Sequence, residues 1–322
     1  MKGNIQKKLK TILPVGLGIF LIWHSLSKFT EAEISEIKFA LTNANYWWII
    51  LSIFLGILSH ASRAYRWKFT LDPMGYQPKF YNQFFAVAIS YLVNLGIPRA
   101  GEFARATTIN QYENIPFEKA FGTIVAERLA DMAVYLLIIF LAFLAQYDII
   151  YNLILSKIPP NPLLIGGIVL CFSVLCFVFL KAIKNSKNVF FVKLRSFSIG
   201  LKEGLLTIYT MKKKWAFIAH TLFIWLAYVL MLYVVIFAFP ETKDLGFNAI
   251  LICFVAGTFS YATTNGGIGS YPYIMQKTLL LYAIPETIGA GFGWIMWSAQ
   301  TLLVILLGGL SFILLPIFNK SR

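Results

Sequence analysis

The chain has 322 residues, of which 58% are hydrophobic and 13% are charged, and this balance excludes a soluble globular protein. Its formal net charge of +14 does not indicate nucleic-acid binding, because the cations lie in short segments at the ends of apolar runs, as in cytoplasmic loops of membrane proteins. The three cysteines lie inside apolar runs without metal-ligand spacing and predict neither a disulfide framework nor a zinc site.

Eight apolar segments follow one another along the chain. They occupy residues 12–26, 46–62, 80–97, 117–147, 162–181, 215–239, 248–264 and 286–318. A helix that crosses a bilayer core of about 30 Å needs about 20 apolar residues, so the composition and lengths predict an all-α integral membrane protein. The first segment follows four lysines, and residues 24–27 make a poor small-residue cleavage site. We therefore interpret it as a retained helix with a cytoplasmic amino end rather than a signal peptide.

The positions of lysine and arginine decide between two topologies. If all eight segments crossed the membrane, residues 181–214, with nine Lys/Arg and one acid, would lie outside, against the positive-inside rule. This conflict disappears if the third segment returns to the cytoplasm and the seventh returns to the outside. The sequence thus predicts about six full transmembrane helices plus two oppositely inserted re-entrant hairpins, with residues 182–214 as a basic cytoplasmic loop. Eight plain spans are the alternative.

A repeated pattern supports the hairpins. Residues 80–147 and 248–316 each break an apolar run at a glycine-bearing loop and restart it after an Ile-Pro pair. Gly101 precedes Pro116 by 15 residues, and Gly269 precedes Pro285 by 16. Interrupted hydrophobic segments at corresponding places in two halves are typical of a transporter site. We expect an inverted repeat within a single polytopic membrane domain, residues 1–322.

Three ionisable residues lie deep in the fourth apolar segment. Glu127, Arg128 and Asp131 follow Phe117 by ten to fourteen residues, which places them ~15–21 Å into the membrane at about 1.5 Å per residue. Charges at this depth cost a few kcal/mol each unless they are paired or hydrated. Two interpretations fit this pattern: a structural ion pair that locks two helices, and a path for a substrate or a proton.

The first hairpin offers natural partners for these charges. Arg99, Glu102 and Arg105 recur every three residues after Pro98, so they lie loosely on one helical face. We expect both arginines to hold a phosphate through bidentate hydrogen bonds. Gly101 would let the backbone approach that anion at the start of a short helix. Snorkelling of the two arginines to water is the alternative.

The second loop is neutral and contains Gly266, Gly267 and Gly269. It is predicted either to add backbone and hydroxyl contacts to the same substrate or simply to make a tight turn. Arg63, Arg66, Trp67 and Lys68 follow the second apolar segment, and we expect them to anchor that helix end at the cytoplasmic interface. Collection of anionic headgroups is the alternative. The three histidines are too scattered for a ligand set or a catalytic triad, so no enzymatic activity, cofactor or metal is predicted.

At these residues the chain resembles the flippase-like transmembrane family of the lysylphosphatidylglycerol synthase/flippases. The matching pieces are Pro98-Arg99-Ala100-Gly101-Glu102 with Arg105, Glu127-Arg128-Leu129-x-Asp131, and Gly266-Gly267-Ile268-Gly269. The resemblance implies a protein that moves a lipid between leaflets, without the soluble aminoacyl-transferase domain of the bifunctional members. It also implies a proline before the second glycine loop and an acid after it, where this chain has Asn265 and Ser270.

We therefore expect a lipid flippase of the cytoplasmic (inner) membrane, with both termini cytoplasmic and anionic or zwitterionic phospholipids as partners. The alternatives are a carrier of a small anionic solute or an isoprenoid-linked sugar, an intramembrane enzyme acting on lipids, and a non-transporting membrane scaffold. The identity of the lipid, a homo-oligomer and a separate lipid-modifying enzyme as partner are left open by the sequence.

Overall fold

A computed structural model describes residues 29–147 and 211–320, together with Ile19, Trp23, His24 and Ser27. These residues form helices and connecting turns, without a strand among them. Most of the predicted first span, the predicted fifth span (162–181) and most of the basic loop (182–214) lie outside the described residues. The α-helices within the two ranges are α1 Glu31–Asn43, α2 Tyr46–Leu71, α3 Phe80–Gly96, α4 Gly101–Glu113, α5 Phe117–Ala145, α6 Lys214–Val235, α7 Phe247–Thr263, α8 Ser270–Leu280 and α9 Glu286–Phe318.

Four helical segments of the described ranges are long and apolar enough to cross a membrane. They are Tyr46–Met74, Phe117–Ala145, Lys214–Ala238 and Glu286–Phe318. Each of these segments corresponds to α2, α5, α6 or α9, with a 3-10 turn added at the end of α2 and of α6. The prediction of an all-α membrane protein is confirmed at this level. The second span is longer than predicted, since α2 continues past residue 62 to Leu71.

The long helices run in two opposite directions along one axis, so the molecule has two ends. The Asn45 amide, just before α2, donates to the Ala238 carbonyl, just after α6. At the other end of these two helices, the Lys213 ammonium lies 3.6 Å from the Asp72 carboxylate. α2 and α6 are therefore antiparallel. Helix α9 begins at the end where α2 begins, because Gly291 faces Ala40 of α1.

The two ends differ in charge. One end, which we call the basic end, holds seven lysines and three acids of the described residues: Lys68, Lys79, Lys119, Lys212, Lys213, Lys214 and Lys320 against Asp72, Glu113 and Glu118. The other, the acidic end, holds six acids and three lysines: Glu31, Glu33, Glu36, Glu241, Asp244 and Glu286 against Lys38, Lys243 and Lys277.

Two pairs of short helices pack as hairpins between the long ones. In the first pair, the Lys79 amide before α3 donates to Glu113 at the end of α4, so this pair opens toward the basic end. In the second pair, Gly257 of α7 lies close to Tyr271 and Met275 of α8. This pair opens toward the acidic end, where α7 follows the loop after α6 and α9 follows α8.

The closed ends of the two hairpins touch. Gly266, in the turn of the second pair, packs so tightly on Leu95 of α3 that an added methyl group would lie 2.7 Å from a Leu95 methyl carbon. The indole N–H of Trp297 on α9 donates to the Gly266 carbonyl over 2.8 Å. The two hairpins thus approach each other from opposite ends and meet between the two ends of the molecule.

The Ile-Pro pairs have the same conformation in both halves. Pro116 (φ −53°, ψ 135°) and Pro285 (φ −53°, ψ 143°) cap the starts of α5 and α9. Two residues before each proline stands a non-glycine residue with positive φ, Asn114 at 54° and Ala283 at 59°. Proline has no N–H to lose at a helix start, so the pair ends one helix and begins the next.

A helix precedes the second predicted span. Residues 28–45, which join the first two predicted spans, contain the helix α1. Its start is a capping box, in which the Thr30 hydroxyl accepts from the Glu33 amide and the Glu33 carboxylate accepts from the Thr30 amide. Thr followed three residues later by Glu is a sequence signal for a helix start, so the start of α1 is predictable from the sequence.

Candidate functional site

Asp131 of α5 is the centre of a buried ion-pair cluster. Its carboxylate accepts from Arg63 over 2.5 Å and from Arg66 over 2.7 Å, both on α2. The two arginine side chains are 2% and 0% exposed. Arg66 also donates to the Thr221 hydroxyl of α6 over 2.9 Å, so one guanidinium joins three helices. The prediction that Arg63 and Arg66 anchor a helix end at the interface is wrong. Helix α2 extends past them, and both side chains are buried against α5.

Glu127 lies one turn before Asp131 and joins the first hairpin to the same cluster. It accepts from Arg105 of α4 over 2.8 Å and lies 3.7 Å from Arg66. The Arg105 guanidinium lies 3.8 Å from the centre of the Trp67 ring, a distance at which a cation–π contact is favourable. We call Arg63, Arg66, Arg105, Glu127 and Asp131 the buried network.

A more accessible group of charges borders this network. Arg128 of α5 lies 3.4 Å from Glu102 of α4 and 3.7 Å from Asp131. The Arg128 and Glu102 side chains are 36% and 24% exposed. Arg99 stands in the turn before α4 with a φ of 63°, is exposed, and forms no ion pair with any described residue. We call Arg99, Glu102 and Arg128 the exposed edge.

Two of the three residues predicted as partners of the α5 charges contact them. The contacts of Arg105 with Glu127 and of Glu102 with Arg128 are confirmed, whereas Arg99 stays apart from the acids. The network and the edge together contain five arginines and three carboxylates, which leaves an excess of two positive charges. By position along α5, the cluster lies about 15–21 Å from the basic end.

Gly101 has a packing role in the structure. A methyl group at this position would lie 2.1 Å from the Ser90 carbonyl oxygen of α3, so the residue lets α3 and α4 approach closely. Its amide donates to the Asn94 side-chain oxygen over 2.8 Å. The first amide of α4 is therefore already paired within the hairpin, with a partner that no local sequence signal indicates.

The glycines of the second loop form the turn of the second hairpin. Gly266, Gly267 and Gly269 have φ values of 60°, 74° and 67°, a region that residues with a Cβ rarely adopt. The turn is also tied by hydroxyls, since Thr264 and Ser270 are hydrogen-bonded over 2.6 Å. Of the two interpretations given for this loop, the tight turn is the one that its backbone conformation supports.

A polar pair that the sequence did not single out lies beside the buried network. The hydroxyls of Tyr91 on α3 and Tyr228 on α6 are hydrogen-bonded over 3.0 Å. The His60 ring of α2 lies 4.5 Å from the Tyr91 ring, centre to centre. No spacing rule finds this pair, because its members come from helices more than a hundred residues apart.

The family described as the lysylphosphatidylglycerol synthase TM region matches residues 11–309. The chain belongs to this family. The match covers both hairpins, the buried network and the exposed edge, so the resemblance noted from the sequence is confirmed.

One relative of this chain is described only as a membrane protein. The UPF0104 membrane protein MJ1595 of Methanocaldococcus jannaschii is 32% identical over 153 residues, which are 47% of this chain and 43% of that protein. The matched part of the chain thus spans less than half of the length of that relative. No solved structure matches the chain.

Proposed function

We propose that this chain is a lipid translocator that moves a phospholipid or a lipid-linked substrate between the leaflets of the cytoplasmic membrane. The observation that carries the proposal is the exposed edge, an arginine-rich group beside the turn where two oppositely directed hairpins meet. Charged side chains within membrane segments mark substrate paths when they face a bundle interior or a cavity. The family supports a membrane flippase-like role.

The charge difference between the two ends supports an orientation. Cytoplasmic segments of membrane proteins are enriched in lysine and arginine, so we place the basic end and both termini in the cytoplasm. The first hairpin then enters from the cytoplasm and the second from the outside, both as re-entrant segments. Non-helical backbone at membrane depth is tolerated where protein covers it, and the contact of Gly266 with Leu95 and Trp297 provides such cover.

The two groups of charges take different roles in this proposal. Arg128 and Arg99 bind the lipid phosphate, because both are accessible and arginine matches phosphate oxygens with paired N–H donors. Glu102 holds the Arg128 guanidinium until a phosphate replaces it. The buried network positions α5 against α2 and α4, and its carboxylates are already paired with arginine. The acyl chains stay in the bilayer while the headgroup passes the hairpin turns, and no covalent step is involved.

The proposal is tested by translocation of a fluorescent phosphatidylglycerol in reconstituted vesicles, measured by dithionite quenching. Arg128→Gln is expected to lower the rate at least about tenfold, since a charge-assisted hydrogen bond contributes about 1.5–3 kcal/mol. Arg99→Ala is expected to lower it as well. Lys119→Ala is the matched control, because this lysine is an exposed cation on the same helix as Arg128. Unchanged rates in both arginine variants would refute the assignment.

A non-transporting scaffold is the second candidate, and one observation favours it. The carboxylates of Glu127 and Asp131 both pair with buried arginines, as expected of charges that only lock helices together. The same assay separates the two functions. A scaffold gives no translocation by the wild-type protein above that of empty vesicles, whereas a translocator gives a rate that depends on Arg128.

A further inference from the structure

The contact between the two hairpin turns lies between the exposed edge and the acidic end. Arg99 follows Leu95 by four residues in the first turn, and α4 then runs from this turn to the basic end. The second hairpin comes from the acidic end and meets Leu95 through residues 264–269, which we call the glycine turn. A headgroup at the exposed edge thus has the basic end on one side and the glycine turn on the other.

This contact is an apolar constriction. A methyl group at Gly266 would lie 2.7 Å from a Leu95 methyl carbon and 4.0 Å from the Leu95 Cα, so the two turns touch directly. The glycine turn contains no charged residue. Apolar constrictions stop ions and polar groups because they exclude water. A phosphate headgroup therefore does not pass between the two turns while they are in contact.

Hydrogen bonds hold the glycine turn in this position. The Ser270 hydroxyl, just after the turn, donates to the Ser260 carbonyl of α7 over 3.1 Å and is hydrogen-bonded to the Thr264 hydroxyl over 2.6 Å. These bonds lie within the second hairpin. The bond from the Trp297 indole to the Gly266 carbonyl, over 2.8 Å, instead comes from α9. A movement of the turn away from Leu95 has to break or lengthen the Trp297 bond.

The second arm of this hairpin is packed firmly against α9. A methyl group at Gly293 of α9 would lie 2.7 Å from the Pro272 Cα of α8, and one at Gly289 would lie 3.1 Å from the Gln276 Cα. Small residues at such positions let the backbones of two membrane helices pack in direct contact. Helix α8 is therefore held along two turns of α9, on the side of Trp297 that leads to the acidic end.

The glycine turn itself has a backbone that can change conformation at low cost. Its three glycines all have positive φ, and glycine adopts positive and negative φ about equally readily. The turn is also a break between two helices, since it separates the end of α7 from the start of α8. The element that closes on Leu95 is thus the part of the second hairpin best able to move.

We propose that the glycine turn is a gate that closes the route from the exposed edge to the acidic end, with the Trp297 indole as its latch. The gate opens when the Gly266 carbonyl leaves Trp297 and the turn withdraws from Leu95. The structure is closed toward the acidic end, so a headgroup reaches the exposed edge from the basic end. This inference rests on the lipid transport proposed above, because it describes how the same route is regulated.

The first test locks the gate with a disulfide. A Cβ at Gly266 would lie 4.0 Å from the Leu95 Cα, which is within reach of a bridge, since bridged cysteines have Cα atoms about 4.4–6.8 Å apart. Leu95→Cys/Gly266→Cys, in a chain without native cysteines, is reconstituted in vesicles and oxidised with copper phenanthroline. Oxidation is expected to lower translocation of fluorescent phosphatidylglycerol at least about tenfold, because the gate cannot open, and dithiothreitol is expected to restore it.

The single variants Leu95→Cys and Gly266→Cys are the matched controls, because each carries one of the two changes and cannot form the bridge. Oxidation is expected to leave the rate of each single variant unchanged. Bridge formation in the double variant is verified by mass spectrometry. A bridged double variant that moves lipid as fast as the reduced protein would overturn the proposal.

The second test needs neither transport nor a change in the glycine turn. A single cysteine introduced by Arg99→Cys is expected to react with an impermeant maleimide from the basic end and not from the acidic end. Trp297→Phe keeps an aromatic ring but removes the N–H of the latch. It is expected to raise labelling from the acidic end at least about threefold, through loss of one hydrogen bond.

Trp294→Phe is the matched control for the latch. The two tryptophan rings are neighbours on α9, 5.8 Å apart, but the Trp294 indole forms no hydrogen bond with any described residue. Equal labelling of Arg99→Cys from both faces, or equal effects of Trp297→Phe and Trp294→Phe, would overturn the gate. If the wild type moves no lipid but the expected labelling is observed, lipid transport fails while the closed contact and its latch stand, so the two failures are distinguishable.

Discussion

Replacement of Asp131 by asparagine tests whether the buried network holds the helices together. Asparagine keeps the size of the side chain but removes the charge that pairs with Arg63 and Arg66. Both guanidinium groups are at least 98% buried, and neither can reach water without movement of α2. Removing one partner of a buried ion pair destabilises a protein by about 3–5 kcal/mol. Arg66 keeps a contact to Glu127 at 3.7 Å, which places our expectation at the lower end of that range.

The assay is unfolding in mixed micelles by sodium dodecyl sulfate, followed by circular dichroism. Glu102→Gln is the matched control, since it neutralises a carboxylate that pairs with an arginine on α5 but is 24% exposed. Pairs of this kind contribute about 0–1 kcal/mol. If Asp131→Asn costs no more than Glu102→Gln, the buried network does not lock α2 to α5, and our account of the cluster fails.

Two further predictions concern the hairpins and the topology. Gly101→Ala is expected to destabilise the protein by about 1–3 kcal/mol, because its methyl would lie 2.1 Å from the Ser90 carbonyl oxygen. Gly96→Ala is the control, since nothing lies within 4 Å of a methyl group at that position. Equal unfolding midpoints for the two variants would contradict the tight contact at Gly101. The topology is tested with single cysteines at the exposed positions Lys119 and Lys243, each in a chain without native cysteines. The two cysteines are expected to react with an impermeant maleimide from opposite membrane faces. Labelling of both from one face would contradict the assignment of the two ends.

Much of the fold could be predicted because short-range features of the sequence determine where membrane helices begin and end. Apolar length, the Ile-Pro pairs and the glycine loops are short-range signals, and they located α3, α5, α7 and α9 within a few residues. The end of α2 was missed for a physical reason. Arginines that follow an apolar run are typical of a membrane interface, and hydropathy cannot tell such an end from a helix that continues through a protein-lined polar region.

The partners of the charged residues were harder to predict. The contact of Arg105 with Glu127 joins neighbouring helices, 22 residues apart, and helical spacing was enough to suggest it. The contacts of Asp131 with Arg63 and Arg66 join residues 68 and 65 positions apart, and they exist only because α2 packs on α5. No periodicity in either helix encodes this packing. The role of Gly101 was also hidden, since the carbonyl that excludes a side chain belongs to another helix.

The structural and the functional interpretations of the α5 charges do not exclude each other. Glu127 and Asp131 fix the rotation of α5 about its axis, and Arg128 lies between them in sequence. The same ion pairs that lock α5 therefore hold the Arg128 guanidinium against Glu102 at the accessible side. If both roles are present, Asp131→Asn lowers stability and translocation together, whereas Arg128→Gln lowers translocation and leaves the unfolding midpoint nearly unchanged. A scaffold without transport gives only the stability effect, so this pair of variants decides between the two.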